Sequence, residues 1–147
     1  MKIDRTGLEL IKEFEGFRTN AYQDTGGIWT IGYGNIQHSA TGKAVQKGDV
    51  VTEEEAEKEL LVDVAWAEKA VNTYVTVSIT QNQFDALVSF VFNFGPNAFK
   101  KSTLLRKLNR GDYKGASKEF LRWIYDDGKI QPGLVKRRNK ESFLFLS

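Results

Sequence analysis

Along the first quarter of the chain the apolar positions change period. Leu8, Leu10, Ile11 and Phe14 recur at helical spacing and predict a helix from near Thr6 to Gly16, a residue that readily takes the left-handed conformation past a helix end. At about 100° per residue, Glu15 falls between Leu8 and Ile11 in the apolar arc, whereas Glu9 and Glu13 point to the opposite, solvated side. The period then drops to two. Asp24-Thr25-Gly26-Gly27 is a turn sequence between β-favouring residues, so Tyr22 to Tyr33 reads as a hairpin with Asp24 at its tip. Ile28, Thr30, Gly32 and Gly34 share one face of its return strand; Trp29, Ile31 and Tyr33 share the other.

From Asn35 to Val51 the alternation is weak, predicting an extended loop with a candidate third strand. Thr52-Glu53-Glu54-Glu55 is a capping box that opens a helix running to about Tyr74, and its acidic start complements the positive end of the helix dipole. A second capping box, Thr80-Gln81-Asn82-Gln83, opens the most apolar helix, which carries Phe84, Leu87, Val88, Val91 and Phe92 and stops at Gly95-Pro96. Ser102 caps a short helix ending near Gly111, and Asp112 caps another to about Trp123. Tyr125 to Lys129 is a turn, and Gly133 to Leu146 forms the last helix. The expected class is α+β, mostly helical. The expected organisation is a small hairpin lobe over about 13–51, a linking helix over about 52–74, and a larger helical lobe over about 75–147 on which helix 1–15 packs.

Composition narrows the function. The chain has 147 residues, 41% hydrophobic and 27% charged, which fits a folded domain with its own core. It has no cysteine and a single histidine, His38, so neither a disulfide framework nor a Cys/His metal cluster is expected; no metal and no cofactor are called for. His38 is expected to lie exposed in a polar loop. Met-Lys-Ile-Asp-Arg runs straight into a charged amphipathic helix, so no signal peptide or membrane anchor is expected. The net charge of +2 is uneven: residues 1–95 carry 8 basic and 14 acidic side chains, and residues 96–147 carry 13 and 5. A basic surface of this kind attracts anionic polymers. The basic residues are spread over several predicted helices with no nucleic-acid motif, so nucleic acid is not an expected partner.

The candidate chemistry sits in the first quarter. Partial burial and the negative end of the helix dipole both act against an ionised Glu15, which suits a general acid; the alternative is a surface acid at a frayed helix end. The Thr30 face is bare at Gly32 and Gly34, which would let a bulky ligand reach the backbone, although such glycines also serve twist and tight turning. Asn93, in the last turn of the apolar helix, reads from its position as a helix-end cap.

Glu15, an acid nine residues on at Asp24, Thr30 six beyond that, and the frame TIGYG together resemble the phage-type lysozymes, or endolysins. QNQFDALVSFVFNFG and PGLVKRRNKE extend the resemblance over nearly the whole chain. It implies a lysozyme-like fold with an active-site cleft between the two lobes. It also implies an enzyme, a glycoside hydrolase cutting the β-1,4 bond between N-acetylmuramic acid and N-acetylglucosamine in bacterial peptidoglycan, with inversion. Carried over residue by residue, Glu15 would be the general acid, Asp24 would activate or hold the water, and Thr30 would help to place it. Gly32, Gly34, Asn35, Asn93 and Arg137 or Arg138 would contact substrate, with one of the arginines approaching Glu15; the sequence does not choose between them, and solvated arginines on an exposed helix face are the alternative. Asn35 stands where the family often has histidine, so a charged tether is absent there.

An inverting pair needs carboxyls roughly 6.5 to 9.5 Å apart, and a helix end facing a hairpin tip can supply that. The resemblance also implies a protein that waits in the host cytoplasm until a separate membrane-permeabilising protein releases it to the periplasm; a monomer is expected, and the basic part of the chain predicts electrostatic contact with the anionic envelope. Two other functions compete: a lytic transglycosylase, which would leave Asp24 and Thr30 unexplained, and an inactive wall-binding phage module.

Overall fold

Eight α-helices and two short hairpins make up the computed structural model, which describes all residues 1–147. The chain divides into two compact units: one of Met1–Ile11 with Trp66–Ser147, the other of Lys12–Ala65.

In the first unit the start of α1 (Arg5–Glu15) belongs with α3 (Ala65–Tyr74), α4 (Gln81–Phe94), α5 (Pro96–Lys101), α6 (Thr103–Asn109), α7 (Tyr113–Glu119) and α8 (Pro132–Leu146). The helix α4 is its centre. Both elements of its predicted capping box form, with the Thr80 hydroxyl accepting from the Gln83 N–H, and every residue from Phe84 to Val91 is buried. Phe90 meets the rings of Phe94, Phe99, Phe120 and Trp123 at 5.6, 6.3, 5.7 and 5.3 Å, mostly edge to face, and Phe145 of α8 closes on Phe120 at 5.5 Å. Ser102 and Asp112 cap α6 and α7 as their residue types predict. The turn after α7 becomes a two-residue hairpin, β3 (Tyr125–Asp126) with β4 (Lys129–Ile130).

One buried acid ties α1 to α4. Asp85 is fully buried, and its carboxylate accepts hydrogen bonds from the backbone N–H groups of Asp4 and Gly7, at 3.1 and 3.2 Å, and from Gln81 Nε2 at 2.8 Å. It thus satisfies donors at the start of α1 that have no partner within that helix. Burial pushes the Asp85 carboxyl above its ordinary value, and these three donors act in the opposite direction. Glycine at position 7 is what lets α4 come so close, because a Cβ there would lie 2.6 Å from the Asp85 Cβ.

The second unit holds the end of α1, the hairpin β1 (Arg18–Gln23) with β2 (Trp29–Gly32), a long loop, and α2 (Glu53–Asp63). The hairpin begins earlier than Tyr22, pairing Arg18 with Gly32 and Tyr22 with Thr30 across an irregularity. Residues 49–51 lie along β1 through a bridge between Asn20 and Val50, so the expected third strand is one bridge with flanking hydrogen bonds. Ile31, Tyr33, Val45, Val51, Ala56 and Leu60 form the core here.

Two further expectations change. His38 is not exposed: it is half-buried, with Nε2 2.8 Å from Asp49 Oδ2 and Nδ1 3.9 Å from Glu59 Oε1, so it fastens the loop to α2. Its bond to Asp49 is the main cause that holds that carboxyl below its ordinary value. The expected single helix over 52–74 is two, α2 and α3, interrupted at Val64. Leu61 and Val62 are exposed there, so the apolar run that reads as one continuous stripe is not all directed inward.

A helical glycine replaced by alanine ordinarily gains about 1 kcal/mol. Gly7→Ala should instead lose about 1 to 3 kcal/mol, the usual cost of overpacking a filled site. Urea unfolding checks this; a stabilised variant would mean that the Asp85 contact is loose.

Candidate functional site

The helix α1 ends at Glu15 because Gly16 takes a φ of 71°, which turns the chain out of the helix and into β1. Glu15 is half-buried while Glu9 and Glu13 are exposed, as the helical wheel predicts. Facing it is Gly34. That residue has a φ of 88°, and a Cβ on it would stand 3.7 Å from Glu15 Oε2, so the carboxylate lies beside bare backbone.

Asp24 and Thr30 are joined through one peptide group. Asp24 Oδ1 accepts from the N–H groups of Gly26 and Ile28, both at 2.8 Å, and the Asp24 N–H donates to the Ile28 carbonyl at 2.9 Å. The Thr30 hydroxyl donates to that same carbonyl at 3.0 Å. Both candidate side chains are therefore fixed by the hairpin's own turn. Asp24 is exposed, and its Oδ2 is left to accept from solvent or ligand. Thr30 is buried, with its hydroxyl proton committed and its lone pairs able to accept.

Two of the candidates serve packing and tethering within this unit. The space in front of Gly32 is filled by α2, with the Ala56 Cβ 3.2 Å from where a Cβ on Gly32 would be, so of the two glycines only Gly34 lies open. Asn35 exchanges two backbone hydrogen bonds with Ile31, and its side-chain amide donates to Asp63 Oδ2 at 2.6 Å. A tether does exist at this position, with one neutral partner. The Asp63 carboxyl is raised by burial, against hydrogen bonds from Asn35 and Ser39.

In the other unit Arg137 and Arg138 are not solvated. They are 4% and 0% exposed and converge on Glu141, also 0% exposed. Arg138 Nη2 donates to Glu141 Oε2 at 3.1 Å, while its Nε stands 2.6 Å from Oε1 in an ionic contact that falls short of hydrogen-bond geometry. Arg137 Nε lies 3.4 Å from Oε2, and the Ser89 hydroxyl donates to the same oxygen at 2.5 Å. Arg138 also donates to Asn93 Oδ1 at 2.9 Å, which brings two of the predicted substrate residues together. Burial raises the Glu141 carboxyl, against the pull of both guanidiniums, and lowers Arg138.

Residues 12–141 match the family model described as phage lysozyme. The chain belongs to the phage lysozyme family. An endolysin of Acyrthosiphon pisum secondary endosymbiont phage 1 is 48% identical, over 100% of this chain and 99% of that protein. Among solved structures, an endolysin from Escherichia coli O157:H7 phage FAHEc1 superposes with a TM-score of 0.92 at 41% identity, covering 100% of this chain and 94% of that one. The muramidase domain of SpmX from Asticaccaulis excentricus superposes with a TM-score of 0.84 at 41% identity, covering 99% and 98%. The lysozyme-like α+β fold expected from the motif is thus the fold observed.

Ser89 and Glu141 escape a reading of motifs alone, although they hold Arg137 and Arg138. The available signal was spacing: Glu141 follows Arg137 by four and Arg138 by three, the separations at which helical side chains meet. Removing the acid leaves two guanidiniums without their buried counter-charge. Glu141→Ala should cost about 3 to 5 kcal/mol of stability. Glu9→Ala, which breaks the exposed pair with Arg5, should cost under about 0.5 kcal/mol. Comparable losses in chemical denaturation would contradict a buried cluster of this kind.

Proposed function

We propose that the chain is an endolysin that hydrolyses the β-1,4 bond between N-acetylmuramic acid and N-acetylglucosamine in peptidoglycan, with inversion. Glu15 carries the reading: a half-buried carboxylate on the last turn of α1, beside the bare backbone of Gly34, in a chain whose residues 12–141 match the phage lysozyme family. In this account Glu15 protonates the leaving glycosidic oxygen. Asp24 takes a proton from the attacking water through Oδ2, the oxygen that the turn leaves open, and the Thr30 hydroxyl accepts a hydrogen bond from that water.

The chain is proposed to comprise a small lobe of about 13–51, a linking segment of about 52–74 and a helical lobe of about 75–147, with Gly34 and Asn93 contacting sugar. Arg137 and Arg138 act by holding other groups, since burial keeps both from solvent. The protein is proposed to act as a monomer. The basic residues of 96–147 would draw it to the anionic envelope through exposed side chains such as Lys100, Lys101, Lys114 and Lys118, an attraction screened over about 8 Å at physiological ionic strength. No helix is long and apolar enough to cross a membrane. Release from the host cytoplasm to the periplasm by a separate membrane-permeabilising protein is the route implied by the family resemblance.

Glu15→Gln should keep the fold, retain or raise thermal stability by removing a charge from the negative helix end, and lower turnover by about 100- to 10,000-fold. Glu13→Gln is the control and should do little. Asp24→Asn and Thr30→Ala should each lose most activity while still binding glycan. Turbidity loss of permeabilised Gram-negative cells measures all four. An active Glu15→Gln variant would sink the hydrolase reading, and a dispensable Asp24 would favour the transglycosylase.

A further inference from the structure

Asn93 has an orientation that its neighbours dictate. It is exposed on the last turn of α4, yet its Oδ1 accepts from Arg138 Nη2 at 2.9 Å. A guanidinium offers donors only, so the oxygen of the amide must face inward and the NH2 group outward; the opposite rotamer would set N–H against N–H beside a buried cation. Asn93 Nδ2 donates to no group of the protein.

Arg138 cannot itself meet a ligand. It is fully buried beside the rings of Phe90 and Phe94, with its guanidinium carbon 5.1 and 4.8 Å from their centroids. Its other partner is Glu141, which is fully buried and held in turn by Ser89 and Arg137. A buried ion pair contributes little stability beyond what well-packed apolar residues of the same volume would supply. What apolar residues could not do is hold an exposed amide in one of its two orientations.

The geometry points to Arg138 and Glu141 as positioning residues that present Asn93 as a hydrogen-bond donor to a carbonyl or carboxylate oxygen of the bound glycan. This rests on the peptidoglycan reading above. The acceptor has two sources on that polymer: the N-acetyl groups of both sugars and the lactyl group of the muramic acid. A donor fixed in this way selects for such an oxygen and offers nothing to the ammonium of a de-N-acetylated sugar, which has no lone pair to accept with.

The test uses isotope-labelled Glu15→Gln protein titrated with three glycans: chitotetraose, its de-N-acetylated counterpart, and a tetrasaccharide of alternating N-acetylglucosamine and N-acetylmuramic acid. The Asn93 side-chain amide resonances should move with the first and third and stay in place with the second. Movement with the third alone assigns the acceptor to the lactyl group and supports the same proposal. In otherwise wild-type protein, Asn93→Asp keeps an acceptor for Arg138 but removes the outward donor. It should leave the thermal midpoint in place and raise KM for soluble glycan strands by about 3- to 10-fold, with the loss falling on KM rather than kcat. Arg138→Met should raise KM similarly, and combining it with Asn93→Asp should add no further loss, since one acts through the other. If Arg138→Met does not fold, the titration and Asn93→Asp still decide. An Asn93 amide that stays still while other resonances move, or an unchanged KM in Asn93→Asp, overturns the proposal. No movement anywhere with any glycan would overturn the glycan-binding reading on which it stands.

Discussion

A helix buried along its length has to satisfy every polar side chain that it carries, and that requirement organises the larger unit. On α4 the polar residues Asp85, Ser89 and Asn93 are four apart, so they run along one stripe of an otherwise apolar helix. Each answers a different neighbour. Asp85 caps the start of α1, Ser89 donates to Glu141, and Asn93 accepts from Arg138. The remaining face of α4 supplies Phe84, Leu87 and Phe90 to the core. The two buried groups, Asp85 and Ser89, would each cost about 1 to 3 kcal/mol if left without partners, so α1 and α8 are held to α4 by need as well as by apolar contact.

The smaller unit meets the same requirement with shorter connections. Its hairpin turn is fixed by Asp24 Oδ1 on two backbone donors, its loop by His38 between Asp49 and Glu59, and the end of its glycine segment by Asn35 on Asp63. Most of these bonds link a side chain to a position close in sequence, or to α2. The catalytic candidates sit where the backbone changes course, Glu15 at a helix end and Asp24 at a tight turn. Such sites tolerate little movement because the turn that positions them is also what would have to change.

Local signals were the legible ones. Both capping boxes, the caps at Ser102 and Asp112, the stop at Gly16 and the inward face of Glu15 follow from neighbouring residue types, and all appear as read. What was illegible depended on partners remote in sequence. His38 reads as an exposed loop residue because its partners Asp49 and Glu59 lie eleven and twenty-one residues away. The burial of Arg137 and Arg138 is not legible because nothing in PGLVKRRNKE announces that α4 will cover them. Gly32 looked open because the approach of Ala56 is a tertiary fact. The break at Val64 has no glycine or proline to mark it, and apolar residues continue past it on both sides.

At the centre of the account are two acids with separate duties, Glu15 giving a proton to the leaving oxygen and Asp24 guiding water to the opposite face of the sugar. That division has a stereochemical signature that neither mutagenesis nor lysis reveals. The most direct measurement is proton NMR of the first products from a soluble glycan, recorded before mutarotation. The account predicts a new reducing end in the α configuration, inverted from the β bond that was cut. A β product would mean a covalent intermediate or another face of attack, and a 1,6-anhydro end would mean that no water takes part; either result would contradict it.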